Sequence, residues 1–386
     1  MNQKHHIRNA ALISIGSLVI FSVFTFINES SRTLATSNAI LKVSSQPEKF
    51  KNWGIINDKE NNSHIQVNQA WKIEQGNKKI VVAVIDTGID LGHKDLKQNI
   101  WKSPKSVKTS KKEVYGWDFV HKKAEPIDKH GHGTHVAGII GAIANPNSGT
   151  SGVAQEVSIM AIKYYSDGNS GAVNLNNTID AIHYAIDNGA NIINYSGGGP
   201  EFSEKEYLAI KRAESEGVLF ISAAGNEHSN TDLVENYYYP SAYRLSNIIS
   251  VAATDINNNL LQSSNWGKNK VDVAAPGAHI YSTLPGNRYG YMSGTSQATA
   301  FVTGLAALLL SHNPNLTHQE VKNIILNTVD TFPQLKNRVA TGGRINAFKA
   351  LLALMNKNTF ESENSLLANL TQQPGSILKL LTLASY

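Results

Sequence analysis

The chain has 386 residues, 41% of them hydrophobic and 17% charged, with a formal net charge of +5. That composition excludes a disordered chain, and so slight a charge, with no aromatic-and-basic motif beside it, excludes a nucleic-acid binder. There is no cysteine, which removes disulfides, a thiol nucleophile and thiolate metal sites.

In chain order, Lys4 and Arg8 precede an uncharged apolar run, Ala10–Ile27. This reads as an export signal cleaved near the small residues Thr33–Ala35, with an uncleaved anchor as the alternative. Either places the rest of the chain outside the cytoplasm, because the positive end stays inside. Residues 1–35 are assigned to this signal or anchor and residues 36–52 to a short segment with no room for a folding pro-domain. The basic run Lys102–Lys112 reads as a solvated loop.

From Lys79 onward, strand-like and helix-like runs alternate. Ile80–Asp86 ("IVVAVID") is a continuous apolar strand ending in a carboxylate, and Thr134–Ala144 reads as a helix of small residues. Val157–Lys163 is a strand, Leu175–Gly189 a helix closed by glycine, and Asn191–Ser196 another buried strand. Ser203–Gly217 opens on a Ser-x-x-Glu capping box. The strands Val218–Ala224, Asn247–Ala253 and Val271–Ala275 follow, then the helices Thr295–His312 and Thr317–Val329. Strands without polar alternation, separated by helices, predict an α/β fold of three layers: a doubly wound, mostly parallel sheet with helices on both faces. Past Ala350 the composition changes, and residues 351–386 read as a loosely packed tail.

In such sheets functional groups collect at the carboxyl ends of strands, where Asp86, Ser196 and Asn226 fall. Taken alone, Asp86 reads equally as a turn or cap residue. The stretch "DKHGHGTHVAG" (Asp128–Gly138) holds three histidines, which could form a metal cage, a proton-handling centre or a turn feeding a helix. His132 and Ser296 each stand beside glycine at the entry to a helix. Together Asp86, His132, Ser296 and Asn226 supply the four parts of acyl transfer: a carboxylate, an imidazole base, a hydroxyl nucleophile and an amide donor for an oxyanion.

The blocks "VVAVIDTGID", "HGHGTHVAG", "INYSGGG", "SAAGNE", "APG" and "SGTSQATA" resemble the signature segments of subtilisin-like serine peptidases, the subtilase family. The resemblance covers residues 53–350 as one peptidase domain, and "VNQAWKI" brings it closer to the thermitase-like branch. It implies a serine endopeptidase in which Asp86 orients His132, His132 activates Ser296, and Asn226 assists the oxyanion. By the same resemblance His135 is structural and His130 an ordinary loop residue. Gly168, Asn169, Ser170 and Gly171, and opposite them Ser196, Gly197 and Gly198, correspond to the edges between which substrate lies as an added strand.

Glu227 matches a position at the base of the primary specificity pocket. Its carboxylate would accept a basic residue there, and it reads equally as a solvated loop residue. Tyr239–Pro240 aligns with a cis proline. The chemistry requires no cofactor; a structural calcium is implied at Asp95 and Asn147. The expected partners are polypeptide substrates, the expected state is a monomer, and membrane contact is expected only if residues 10–27 stay uncleaved. Gln297, Ala300 and Phe301 depart from the family pattern, which has Met, Pro and His there. Two other readings share these motifs: a narrow peptidase maturing one partner protein, and a catalytically silent peptide-binding protein.

Overall fold

The computed structural model describes residues 51–55, 63–104, 114–145 and 150–356. The signal segment, Asn147, most of the Lys102–Lys112 run and residues 357–386 lie outside the described residues.

After a single helical turn, α1 (Val67–Ala70), the first strand β1 (Gly76–Asp86) runs through the middle of a nine-stranded sheet. The other strands are β2 (Gly116–Asp118), β3 (Glu156–Lys163), β4 (Ile192–Tyr195), β5 (Leu219–Ala223), β6 (Ile248–Thr254), β7 (Val273–Pro276), β10 (Asp330–Thr331) and β11 (Gly343–Arg344), in the order β10-β11-β7-β6-β5-β4-β1-β3-β2. All neighbours are parallel except β10 and β11. A separate antiparallel hairpin joins β8 (Ile280–Leu284) to β9 (Arg288–Met292).

The apolar strands are explained by a sheet buried on both faces. Successive side chains point to opposite sides, so Val82 and Val84 of β1 join one core while Ala83 and Ile85 join the other. The first core lies under α2 (His132–Gly141) and α5 (Thr295–His312), and α6 (His318–Asn327) packs on α5. The second lies under α3 (Gly171–Asp187) and α4 (Glu204–Ser215). Three layers result, as the sequence implies. Among the described residues no helix is long and apolar enough to cross a membrane.

Several boundaries differ from expectation. Helix α2 begins at His132, two residues early, because Gly131 takes φ 105° as its N-cap. Helix α3 begins at Gly171, four residues early, because the Ser170 side chain caps it. The Ser203–Glu206 capping box is only half formed: Ser203 accepts from the Glu206 N–H, but the Glu206 carboxylate takes the Tyr243 hydroxyl instead. The full box is at Thr317 and Glu320. The packed body also continues past Ala350, since residues 347–356 are helical and Leu351 and Leu354 are buried in the core. That corrects the loose tail expected from residue 351.

Candidate active site

Strand β1 delivers Asp86, 3% exposed, to the point where the sheet's winding reverses between β3 and β4. A buried carboxylate needs donors. Asp86 Oδ1 accepts from the Thr87 N–H at 2.7 Å and from His132 Nδ1 at 2.7 Å. The ring approaches closely because Gly133 has no side chain; a methyl there would collide with the Gly88 carbonyl and crowd Asp86. Burial alone would lower the His132 pKa, but the Asp86 charge and hydrogen bond, with Asp128 adding to them, leave it raised above 6.5. A carboxylate at Nδ1 favours the tautomer with its proton there, which makes Nε2 the basic atom of the ring.

The three histidines of the sequence motif have three different surroundings. His130 is exposed, its ring edge-on to His132 at 6.3 Å. His135 is fully buried, and its Nε2 donates to the Ile280 and Gly290 carbonyls at 3.0 and 3.2 Å, fastening α2 to the hairpin. Burial, with His132 nearby, pushes its pKa down to about 3. Among the described residues no group of three or more His, Cys, Asp or Glu could hold a metal ion. The metal-cage alternative therefore has no support in the geometry.

Ser296 is the second residue of α5, so its N–H has no intrahelical partner. Its hydroxyl donates to the Ser196 carbonyl at 3.1 Å, while the Ser196 hydroxyl donates to the Ser296 carbonyl at 3.3 Å. Asn194 supports this lock, donating to Ser196 Oγ and accepting from Thr303 on α5. The structure thus places Ser296 against the end of β4, with its hydroxyl turned to Ser196. Just past β5, Asn226 accepts from the Thr295 N–H at 2.9 Å and its hydroxyl at 3.2 Å. With its oxygen so occupied, its amide nitrogen lies beside Gly294, the N-cap of α5, 3.6 Å from where a Cβ there would stand.

The other expected positions divide. Ser196 and Gly197 are buried and Gly198 is partly exposed, in an extended segment continued by paired hydrogen bonds between Gly199 and Tyr239. The opposite edge differs from expectation. Gly168 and Asn169 lie in a turn closed by the Asn169 N–H on Ser166, and Ser170 and Gly171 form the start of α3. Ser170 keeps an extended backbone there, with φ −66° and ψ 159°. Glu227 is exposed along its stem, but its carboxylate end turns in against Gly225 and accepts from Asn265, and the desolvation of that end raises its pKa. Asp95 is buried, accepting from Asn145 at 2.9 Å and from the Tyr289 hydroxyl. The Tyr239–Pro240 bond is cis.

Three supporting residues were not read from the sequence. Asp128 accepts from the Thr87 hydroxyl, from the N–H groups of His130, Gly131 and Thr134, and from the Thr134 hydroxyl. It therefore staples the Asp86 loop to the helix that carries His132. Thr87 completes the staple by accepting from the Gly133 N–H at 2.9 Å. Lys163, buried, donates to the Thr87 carbonyl at 2.7 Å. An Asp placed shortly before a predicted helix start is an available capping signal for Asp128; nothing in the sequence marks Lys163.

Residues 77–350 match the Subtilase family. The chain is 38% identical over 287 residues to a thermophilic serine proteinase of Bacillus sp. (strain AK1), which covers 73% of this chain but only 64% of that protein. It is also 38% identical over 287 residues to thermitase of Thermoactinomyces vulgaris, covering 74% of this chain and 93% of thermitase. Its fold is similar to that of a protease from Pseudoalteromonas arctica, with a TM-score of 0.66 at 26% identity, covering 80% of this chain and 99% of that one.

Proposed function

The chain belongs to the subtilase family of serine-type endopeptidases, and we propose that it is exported and cuts polypeptides through Asp86, His132 and Ser296 by way of an acyl-enzyme. The observation that carries this reading is the 2.7 Å bond from His132 Nδ1 to the buried Asp86, beside a helix whose first turn carries Ser296. In the reaction the Ser296 hydroxyl turns from the Ser196 carbonyl to His132 Nε2 and loses its proton there as Oγ attacks the peptide carbonyl. The Asn226 amide and the Ser296 N–H meet the oxyanion. His132 then gives the proton to the leaving amine, and water, deprotonated by the same ring, releases the acyl group.

Substrate is held as an added strand along Ser196–Gly198, whose backbone groups bind peptide with little regard to side chains. The enzyme works as a monomer, and touches a membrane only if its N-terminal segment is retained. A structural calcium held by Asp95 and Asn147 belongs to the same proposal. Its support is the buried Asp95 carboxylate, held to Asn145 at 2.9 Å, and the residue types of the sequence that follows Asn145, oxygen donors of the kind that suits a hard cation. The ion supplies no step of the reaction, so chelation should lower Tm while leaving the reactive residues unchanged.

The test is hydrolysis of casein across pH. Because His132 must be neutral to act and its pKa is raised, the rate should climb with pH through a midpoint above 6.5. A folded wild-type protein that cuts casein no faster than Ser296→Ala would refute the reading.

A further inference from the structure

A peptide lying along Ser196–Gly198 brings its reacting carbonyl to Ser296 with the oxygen toward Asn226. Side chains of an extended peptide alternate in direction. The residue just before the cut bond therefore sends its side chain into the slot between two backbone segments, the end of β4 at Ser196–Gly198 and the end of β5 at Ala224–Asn226. Both walls of this slot are glycines, Gly198 and Gly225, which ordinarily would leave it wide. One ring fills it. A methyl group added at Gly198 would collide with Tyr238 Cε1, and one added at Gly225 would come within 3.0 Å of Tyr238 Cδ2. Those two carbons stand opposite each other across the ring, so the phenol spans the slot from wall to wall.

The rest of the surroundings agree. The carboxylate of Glu227 also abuts Gly225, and it is taken up by the Asn265 amide. Tyr238 is anchored behind by its carbonyl, which accepts from the Ala242 N–H at 2.8 Å, and the loop is pinned in front by the Gly199–Tyr239 pair. Burial pushes the phenol well above its ordinary pKa, with Glu227 adding to the effect, so the ring presents a neutral wall.

We propose that Tyr238 is a specificity-determining residue that closes the primary pocket, confining cleavage to bonds that follow a small residue such as alanine, glycine or serine. The inference rests on the peptidase reading above and deepens it. On this proposal a basic side chain cannot extend past the ring to reach the Glu227 carboxylate, which favours the loop reading of Glu227.

The experiment uses fluorogenic peptides identical except for alanine, phenylalanine or lysine before the scissile bond, cut by the full-length protein. Wild type should favour alanine over both others in kcat/KM by at least about tenfold, the scale a pocket of the wrong size imposes. Tyr238→Phe, which keeps the ring, should retain that order. Tyr238→Gly should raise the phenylalanine-to-alanine ratio by at least about tenfold. If Tyr238→Gly fails to fold, as judged by circular dichroism, the wild-type and Tyr238→Phe profiles still decide. Cleavage after phenylalanine or lysine as fast as after alanine in wild type overturns the proposal while leaving the peptidase reading intact. Cleavage of no peptide, with no labelling of Ser296 by a fluorophosphonate, overturns both.

Discussion

The two faces of the sheet are covered by helices of different kinds. On one face every residue of α2 is buried, and so are the residues of α5 from Thr295 to Leu310. On the other, α3 buries only Asn174, Thr178, Ala181, Ile182 and Ala185, and α4 only Glu206, Ala209, Ile210 and Ala213. The second pair are amphipathic covers, with one stripe inward and the rest in water. The first pair are rich in glycine, alanine and threonine, which lets them pass close to the strands and to each other. Their first turns carry His132 and Ser296. A helix packed on all sides holds its first turn fixed, which is what preorganised proton transfer requires. The proposed chemistry is gathered on the face whose helices are packed on all sides, while the helices of the other face keep one side in water.

That contrast sets the order of expected effects. The largest belongs to the reactive pair. Ser296→Ala and His132→Ala should each reduce kcat on the order of 10^6-fold, the scale established for a subtilisin, and the double variant should lose little more, because the two act as one unit. Additive losses in the double variant would separate them.

Next comes the acid stability contributed from the same face by His135. Folded, it stays neutral down to about pH 3, whereas the unfolded chain takes up a proton below about 6.5. Stability should therefore fall as pH drops between those values, by about 1.4 kcal/mol per unit for this group alone. His135→Asn should flatten that slope in urea denaturation followed from pH 6 to pH 4. An unchanged slope would show that His135 is not the acid-sensitive link between α2 and the hairpin.

On the covering face, burial raises the Glu206 pKa from 4.5 to about 7, with the Tyr243 hydroxyl opposing it. The unfolded chain loses this proton above about 4.5 while the folded protein holds it to about 7, so stability falls as pH rises through that range and levels off above it. Glu206→Gln keeps the Tyr243 bond and should stabilise the protein at pH 8 by up to about 3 kcal/mol, with no gain at pH 4. The smallest effect is expected at Leu208, 54% exposed on α4. Leu208→Lys should shift stability by no more than about 0.5 kcal/mol and leave kcat alone. A large loss there would erase the distinction between the two faces.

The same contrast explains what could be read from the sequence. β1 and β3 to β6 were legible because strands buried on both sides are uninterrupted apolar runs, and Asp86 stood out as a charge at the end of one. Helix α5 was legible by length and composition, since burial all round erases its period. The hairpin β8–β9 was not read: Tyr281, Tyr289 and Tyr291 leave one of its faces partly exposed, and only Pro285–Asn287 marks its turn. The two-residue strands β10 and β11 carry no pattern at all. Asp128 and Tyr238 went unread for a different reason. Each acts through groups brought to it by folding, five donors in one case and two glycine walls in the other, and no local spacing announces that.

The central claim is that His132 makes Ser296 a nucleophile. Reaction with a fluorophosphonate, with the modified residue located by peptide mass mapping, tests it most directly. Wild type should label at Ser296, faster as pH rises through a midpoint above 6.5, and His132→Ala should label slowly at every pH. Equal labelling rates in the two proteins, or a folded wild type that never labels, would contradict the account.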